Sequence, residues 1–385
     1  MPKLNLDRRS LLKAGAASLF MSGLPVSGFT QGKPPGSINV IILEGGMDGL
    51  AAVPPIGDPD LMSIRRVLTP ASYQPLNDFF GLHPSLKFFA QLMARGHASA
   101  VHATSFPYTK RSHFEGQNLI QGGGLSPFSE TSGWLGRALE LAGVSGRSLS
   151  LDMPLILRGH KDNDNFYPAS IRGSKQPAAD LVQLIAMGHA SDNAQVINQV
   201  AKKSEANIKV PRDPASLAKY AGKAIAQADG PVASVILVNS FDTHASQVDD
   251  GDADSGRLAT QLAVVDDVIS GYRQGLGDAW DDAIILTLTE FGRTVAANGT
   301  TGTDHGYGSV GLLAGGSLPA SRVVADWPGL GKRDQFEKRD LMATTDYRSV
   351  CAACVERTLG LDHDLIASQI FHQADLPRVY DAIFA

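Results

Sequence analysis

The chain has 385 residues, 43% of them hydrophobic and 19% charged, with two cysteines and a formal net charge of −5. That composition excludes a disordered or fibrous protein and supplies enough apolar material for one large α/β domain or two smaller ones. No Lys/Arg stretch beyond the first residues is dense enough for nucleic-acid binding, and two cysteines make no disulfide framework.

The first thirty residues differ in kind from the rest. In LDRRSLLKAGAASLFMSGLPVSGF, Arg8 and Arg9 precede an apolar run over 11–24 that is too short to span a bilayer comfortably. The pattern predicts a twin-arginine signal over 1–30, hence a chain handed to the twin-arginine translocation machinery and delivered to the periplasm, with no stable membrane span. A Pro/Gly linker, GKPPG, then opens a domain expected over 36–385.

Within it, SINVIILEGGMDGL is a continuous apolar run, as a parallel strand buried on both faces requires; it ends in Glu44, two glycines and Asp48. HPSLKFFAQLMARGHA has helical spacing, ASAVHAT is a short strand, and RSHFEGQNLIQGGG reads as a helix stopped by glycines. Residues 158–228 are more polar and are expected to form a helical insertion or cap. PVASVILVNSFD and DDAIILTLTEF are two further strands, with a helix over 256–276 between them. In SVCAACVERTLG, Cys351 and Cys354 share the buried face of a helix. This alternation predicts a three-layer α/β domain, a mainly parallel central sheet flanked by helices.

Open parallel sheets bind ligands outside the carboxyl ends of their strands. Four polar clusters fall at such ends or in the loops after them: EGGMDG, FDTHASQ, TEFGRT and TDHG. Together they supply the carboxylates of Asp48, Asp242, Glu290 and Asp304, the imidazoles of His244 and His305, and the guanidinium of Arg293; His113 adds a third imidazole. Carboxylates and imidazoles hold a divalent metal ion such as zinc, calcium or manganese, and an Arg can clamp phosphate or sulfate with two donors. The set suits metal-assisted transfer of an anionic group. Ser112 stands where a helix should begin, in the field of free N–H groups, which makes it a nucleophile candidate; Ser112 followed by Glu115 is equally a plain capping box.

In their order, the twin-arginine start, GGMDGL, RSHFEGQ, GWLGR, FDTHASQ, TLTEFGRT and GTDHG resemble the exported bacterial family called domain of unknown function 1501, over nearly the whole chain. That family looks like a branch of the alkaline phosphatase and sulfatase superfamily. The resemblance implies an alkaline phosphatase/sulfatase-like fold, Ser112 as nucleophile, Asp242 and His244 as one metal-binding pair, TEFGR in the place of the second pair, and His305 as the last ligand. This sequence departs from the superfamily pattern in three places. Either Glu44 or Asp48 could be the first-strand ligand, FDTH spaces its pair by two residues where four is common, and Glu290 replaces an Asp with no His after it. A single-metal or altered site is therefore expected. The implied activity is hydrolysis or transfer of a phosphate or sulfate ester on a small molecule or glycan; the alternative is a non-catalytic member that binds an anionic glycan or an envelope protein.

Overall fold

In the computed structural model, residues 34–168 and 211–385 are described. The expected signal over 1–30 lies outside them, and so does the middle of the segment 158–228. Nine strands among the described residues form one sheet: β1 (Ser37–Leu43), β2 (Ala98–Ser105), β3 (Gly146–Ser148), β4 (Asp164–Asn165), β5 (Ala233–Val238), β6 (Ala283–Thr289), β7 (Ser309–Ala314), β8 (Val323–Val324) and β9 (Thr345–Asp346). Their spatial order is β8-β2-β7-β6-β1-β5-β3-β4, with β9 also paired to β2. Every pairing is parallel except the two made by β7, which is antiparallel to both β2 and β6.

The sheet is a middle layer because its strands are apolar on both sides. In β1, Ile38, Val40 and Ile42 enter one core while Ile41 and Leu43 enter the other, as the two-residue side-chain period dictates. β6 alternates likewise, with Ile284, Leu286 and Leu288 against Ala283 and Ile285. Each of the Val, Leu and Ile side chains, fully buried, stabilises the fold by roughly 1.5–3 kcal/mol.

The helices are α1 (Gly49–Ala52), α2 (Leu61–Arg65), α3 (Lys87–Ala94), α4 (His113–Gly122), α5 (Trp134–Ala142), α6 (Pro214–Ile225), α7 (Arg257–Leu276) and α8 (Tyr347–Leu359), besides short turns. α5 and α8 cover one face of the sheet, through Trp134, Leu135, Val350 and Cys354 among others, and α3, α6 and α7 the other. Cys351 and Cys354 are buried and unpaired, and burial pushes both thiols far up, so they pack as small apolar groups. α6, the last part of 158–228, belongs to the covering layer: Leu217, Ala218, Ala221 and Ile225 sit in the core with α7. No described helix is long and apolar enough to cross a membrane.

Candidate functional site

β1, β5 and β6 end at one edge of the sheet, and the reversed β7 begins there. Asp242 and His244 follow β5, Glu290 follows β6, and His305 lies just before β7. α4 completes the edge from above. Gly116 lets it approach closely, since a Cβ there would lie 3.0 Å from the Cβ of Glu290.

Three imidazoles and one carboxylate converge. Nε2 of His305 lies 2.9 Å from Nε2 of His113, 2.9 Å from Nε2 of His244 and 3.2 Å from Oδ1 of Asp242. Asp242 Oδ1 is also 3.4 Å from His113 Nε2 and 3.1 Å from His244 Nε2. Ligand atoms of His113, Asp242 and His305 all fall within 4.8 Å of one another, the spacing of a group able to hold a metal ion.

The other ring nitrogens decide what these atoms are. His113 Nδ1 is 2.7 Å from Glu290 Oε1, His244 Nδ1 is 3.0 Å from Asp304 Oδ1, and His305 Nδ1 is 2.9 Å from the Arg111 carbonyl oxygen. All three partners are acceptors, so each Nδ1 carries a proton and each ring turns Nε2 inward, where the neutral tautomer presents a lone pair. Arg293 donates to Asp242 Oδ1 at 2.6 Å, but the three Nε2 atoms have no donor among the described residues, and their lone pairs repel one another unless a cation lies among them. The residues fit a divalent metal: three imidazoles and one carboxylate are a zinc-type donor set, each His oriented from behind by a carboxylate or carbonyl.

The neighbouring charges act on the cluster in opposite directions. The hydrogen bond to Glu290 pushes the His113 pKa up against the opposing effect of burial, and burial pushes His305 down. Burial raises the Asp242 carboxyl, but Arg293 and the nearby imidazoles outweigh it and hold the group below its ordinary value. The His244 hydrogen bond does the same for Asp304.

The sequence-derived residues therefore divide. Asp242, His244 and His305 meet in the cluster. Glu290 and Asp304, expected as ligands, stand behind His113 and His244 instead, one oxygen of each meeting an Nδ1–H group; Glu290 Oε1 accepts in addition from the Gly45 N–H at 2.8 Å. Asp48 is not in the cluster. It is 1% exposed, its Oδ1 caps α1 by accepting from Ala51 N, and its Oδ2 accepts from Arg65 and from Gln247 Nε2 at 2.6 Å. Glu44 is half-buried at the end of β1, its carboxyl raised by burial and by the Glu290 charge.

Arg293 does not offer an anion clamp. Its guanidinium is buried and bonded to the carbonyls of Gly46 (2.8 Å), Gly45 (2.7 Å), Phe241 (2.8 Å) and Thr303 (3.3 Å), and to Asp242 Oδ1 (2.6 Å). It holds the Gly45–Gly46 turn, where both residues have positive φ and a Cβ on Gly45 would fall 2.3 Å from Asp242 N.

Ser112 is the N-cap of α4, its Oγ accepting from Glu115 N at 3.5 Å. The capping box is only half formed. Glu115 accepts a hydrogen bond from Tyr108 Oη at 2.7 Å instead of turning back, and the Ser112 N–H donates to that same phenol oxygen at 3.1 Å. Ser112 makes no hydrogen bond to the cluster, although its neighbours on both sides belong to it. Arg111, at φ +57, carries the carbonyl that meets His305, and its own guanidinium is held by Asp340 at 2.6 and 2.9 Å. Two contributors were not assigned from the sequence, which named His113 only as a third imidazole and did not name Gln247. His113 as a ligand could have been found from a His at the first position of a helix following a strand end. Gln247 had no such signal; its Oε1 accepts from Thr243 Oγ1 (2.8 Å) and Thr303 Oγ1 (2.6 Å), on the two loops that bear the ligands.

The pattern of the family described as protein of unknown function (DUF1501) matches residues 68–365. This chain belongs to the DUF1501 family. No curated protein matches its sequence. Among solved structures it is similar to Ps i-CgsB in complex with k-i-k-neocarrahexaose, at 11% identity and a TM-score of 0.45 over 91% of this chain and 76% of that one. It is also similar to a protein in the alkaline phosphatase superfamily from Vibrio parahaemolyticus (12%, 0.37, 83% and 72%) and to the C-terminal periplasmic domain of EcEptC from Escherichia coli (10%, 0.38, 90% and 88%). At these levels the likenesses carry no argument about the chemistry of the cluster.

Proposed function

We propose that this DUF1501 protein is a periplasmic, metal-dependent hydrolase or transferase of phosphate or sulfate esters, exported through the signal at 1–30 and folded over 36–385. The observation that carries the reading is the convergence of three Nε2 lone pairs on Asp242 Oδ1, each ring fixed from behind. His113, Asp242, His244 and His305 would hold a divalent ion, zinc by this donor set. Such an ion, when bound, supplies the positive charge that polarises an ester oxygen.

The chain's own groups do the rest. Ser112 presents a hydroxyl at the N-terminus of α4, where the first N–H groups of a ten-residue helix favour an anion. This end of α4 takes over the anion-binding role that the buried Arg293 cannot fill. A second reading, a non-catalytic binder, is favoured by one feature, the Ser112 hydroxyl bonded to its own helix.

Metal analysis of the purified protein, with aryl phosphate and aryl sulfate turnover, separates the two. We expect about one equivalent of metal, lost on His305→Ala, and turnover abolished by Ser112→Asp, which keeps a good cap while removing the hydroxyl. Metal bound without turnover on any ester would support the binder, and full activity in both Ser112→Asp and Ser112→Ala would end the covalent role of Ser112.

A further inference from the structure

α4 has a second working face. His113 and Gly116 look toward the cluster and Glu290; Phe114, Gln117, Asn118 and Gln121, at helical spacings of three, four and seven, form the adjoining stripe and line a cleft of about 770 Å³. Leu151 and its neighbours build the facing wall, and Leu237, at the end of β5, closes the side from which the chain runs to Asp242. The cleft thus begins one residue from a proposed metal ligand. Its size is that of a small-molecule site.

Its chemistry is mixed in a particular way. Phe114 and Phe128 are 74% and 54% exposed, with ring centroids 5.3 Å apart, and Leu151 is 75% exposed. Water-exposed aromatic faces of this kind cost hydration free energy without stabilising the core. Phe128 is moreover held at φ +61, a conformation that is strained for a bulky side chain, and is pinned there by its N–H donating to Asn118 Oδ1 at 2.6 Å. The strain and the pin serve one visible end, which is to set the second ring beside the first. Around the rings stand amides and hydroxyls: Gln117, the free NH₂ of Asn118, and Thr131.

Flat apolar faces bordered by neutral donors and acceptors match a sugar ring, which has C–H faces and a hydroxyl edge. The formal charges lining the cleft are Glu130 and Asp152 against Arg158, a balance that disfavours a polyanion. We infer that this cleft is a saccharide subsite, in which a neutral sugar unit stacks on Phe114 and Phe128. The inference rests on the proposed ester site for where the reacting group would lie, and not for the binding itself.

The test uses the full-length protein and a panel of neutral hexasaccharides (cellohexaose, laminarihexaose, maltohexaose and chitohexaose), followed by saturation-transfer NMR and calorimetry. We expect at least one to bind, and Phe114→Ala and Phe128→Gly each to weaken it about tenfold or more. Neither should lower the Tm, since Phe114 is exposed and glycine relieves the strain at 128. Binding should persist in His305→Ala. Failure of every hexasaccharide to bind, or binding that ignores both substitutions, overturns the subsite; so does a cleft that takes only an aryl dye such as anilinonaphthalene sulfonate. Absence of metal and of ester turnover in the unmutated protein, with saccharide binding intact, would instead overturn the ester reading alone.

Discussion

Two polar clusters sit a few residues apart at the same edge of the sheet and are built on opposite terms. Around Asp48, the carboxylate, the Arg65 guanidinium and the Gln247 amide are fully buried, and both carboxylate oxygens and the Gln247 side chain have donors or acceptors to match them. Arg65 also reaches the carbonyls of Thr294 and Val295 at 2.9 and 2.7 Å. Around His305, three imidazole Nε2 atoms, partly open to solvent, face one another and Asp242 with no donor of their own, and only the carboxylate is met, by Arg293. Buried polar groups that satisfy each other are scaffold, because an unpaired one costs about 1–3 kcal/mol. Acceptors left facing one another are what a ligand completes.

The difference can be broken from the scaffold side first. Arg65→Met leaves the Asp48 carboxylate buried without its cation, and should destabilise the protein by about 3–5 kcal/mol by urea denaturation. Adding Asp48→Asn should recover part of that loss. A near-neutral Arg65→Met would show that this network is wetter than its burial indicates.

Acid should reach the same region next. His102, buried under α1, donates from Nε2 to the Val53 carbonyl at 2.9 Å and accepts the Ala103 N–H on Nδ1 at 2.8 Å, so it is neutral, with burial holding its pKa at about 4. In the unfolded chain it returns to about 6.5. Between those values the unfolded state binds the extra proton, so stability falls as pH falls through this window, by about 3 kcal/mol at pH 4. Urea midpoints of chelator-treated protein between pH 7 and 4.5 measure this, and an unchanged midpoint would mean that His102 is charged in the fold.

The smallest effect sharpens the contrast from the other side. Glu290→Gln keeps the shape of the group behind His113 but weakens its hold on the Nδ1 proton, and should cost about 10- to 100-fold in zinc affinity with only a small change in Tm of the metal-free protein. A large loss of stability with unchanged affinity would place Glu290 with the scaffold.

Much of the fold was legible because its central strands are continuous apolar runs: β1, β5 and β6 lie within the stretches that their hydrophobicity marks. β7 was not, since SVGLLA follows the TDHG loop without a polar boundary of its own. The site was legible as a collection of charged groups where packing requires none, which singled out Asp242, His244 and His305. The sequence could not tell spent groups from open ones. Asp48 is neutralised by Arg65, in a short helix with no distinguishing pattern, and Arg293 is absorbed by carbonyls up to 248 residues away. His113 acquires its orientation from Glu290, 177 residues later. Only long-range pairing assigns such groups.

Gln247 ties these regions together. One amide oxygen clasps Thr243 and Thr303, and thereby the loops bearing Asp242 and His244 on one hand and Asp304 and His305 on the other, while the amide NH₂ anchors both to Asp48. Neither loop can swing out alone without breaking a buried hydrogen bond that the other shares. The two loops are thus coupled mechanically: a substitution that frees Gln247 would loosen Asp242, His244, Asp304 and His305 together and not one at a time.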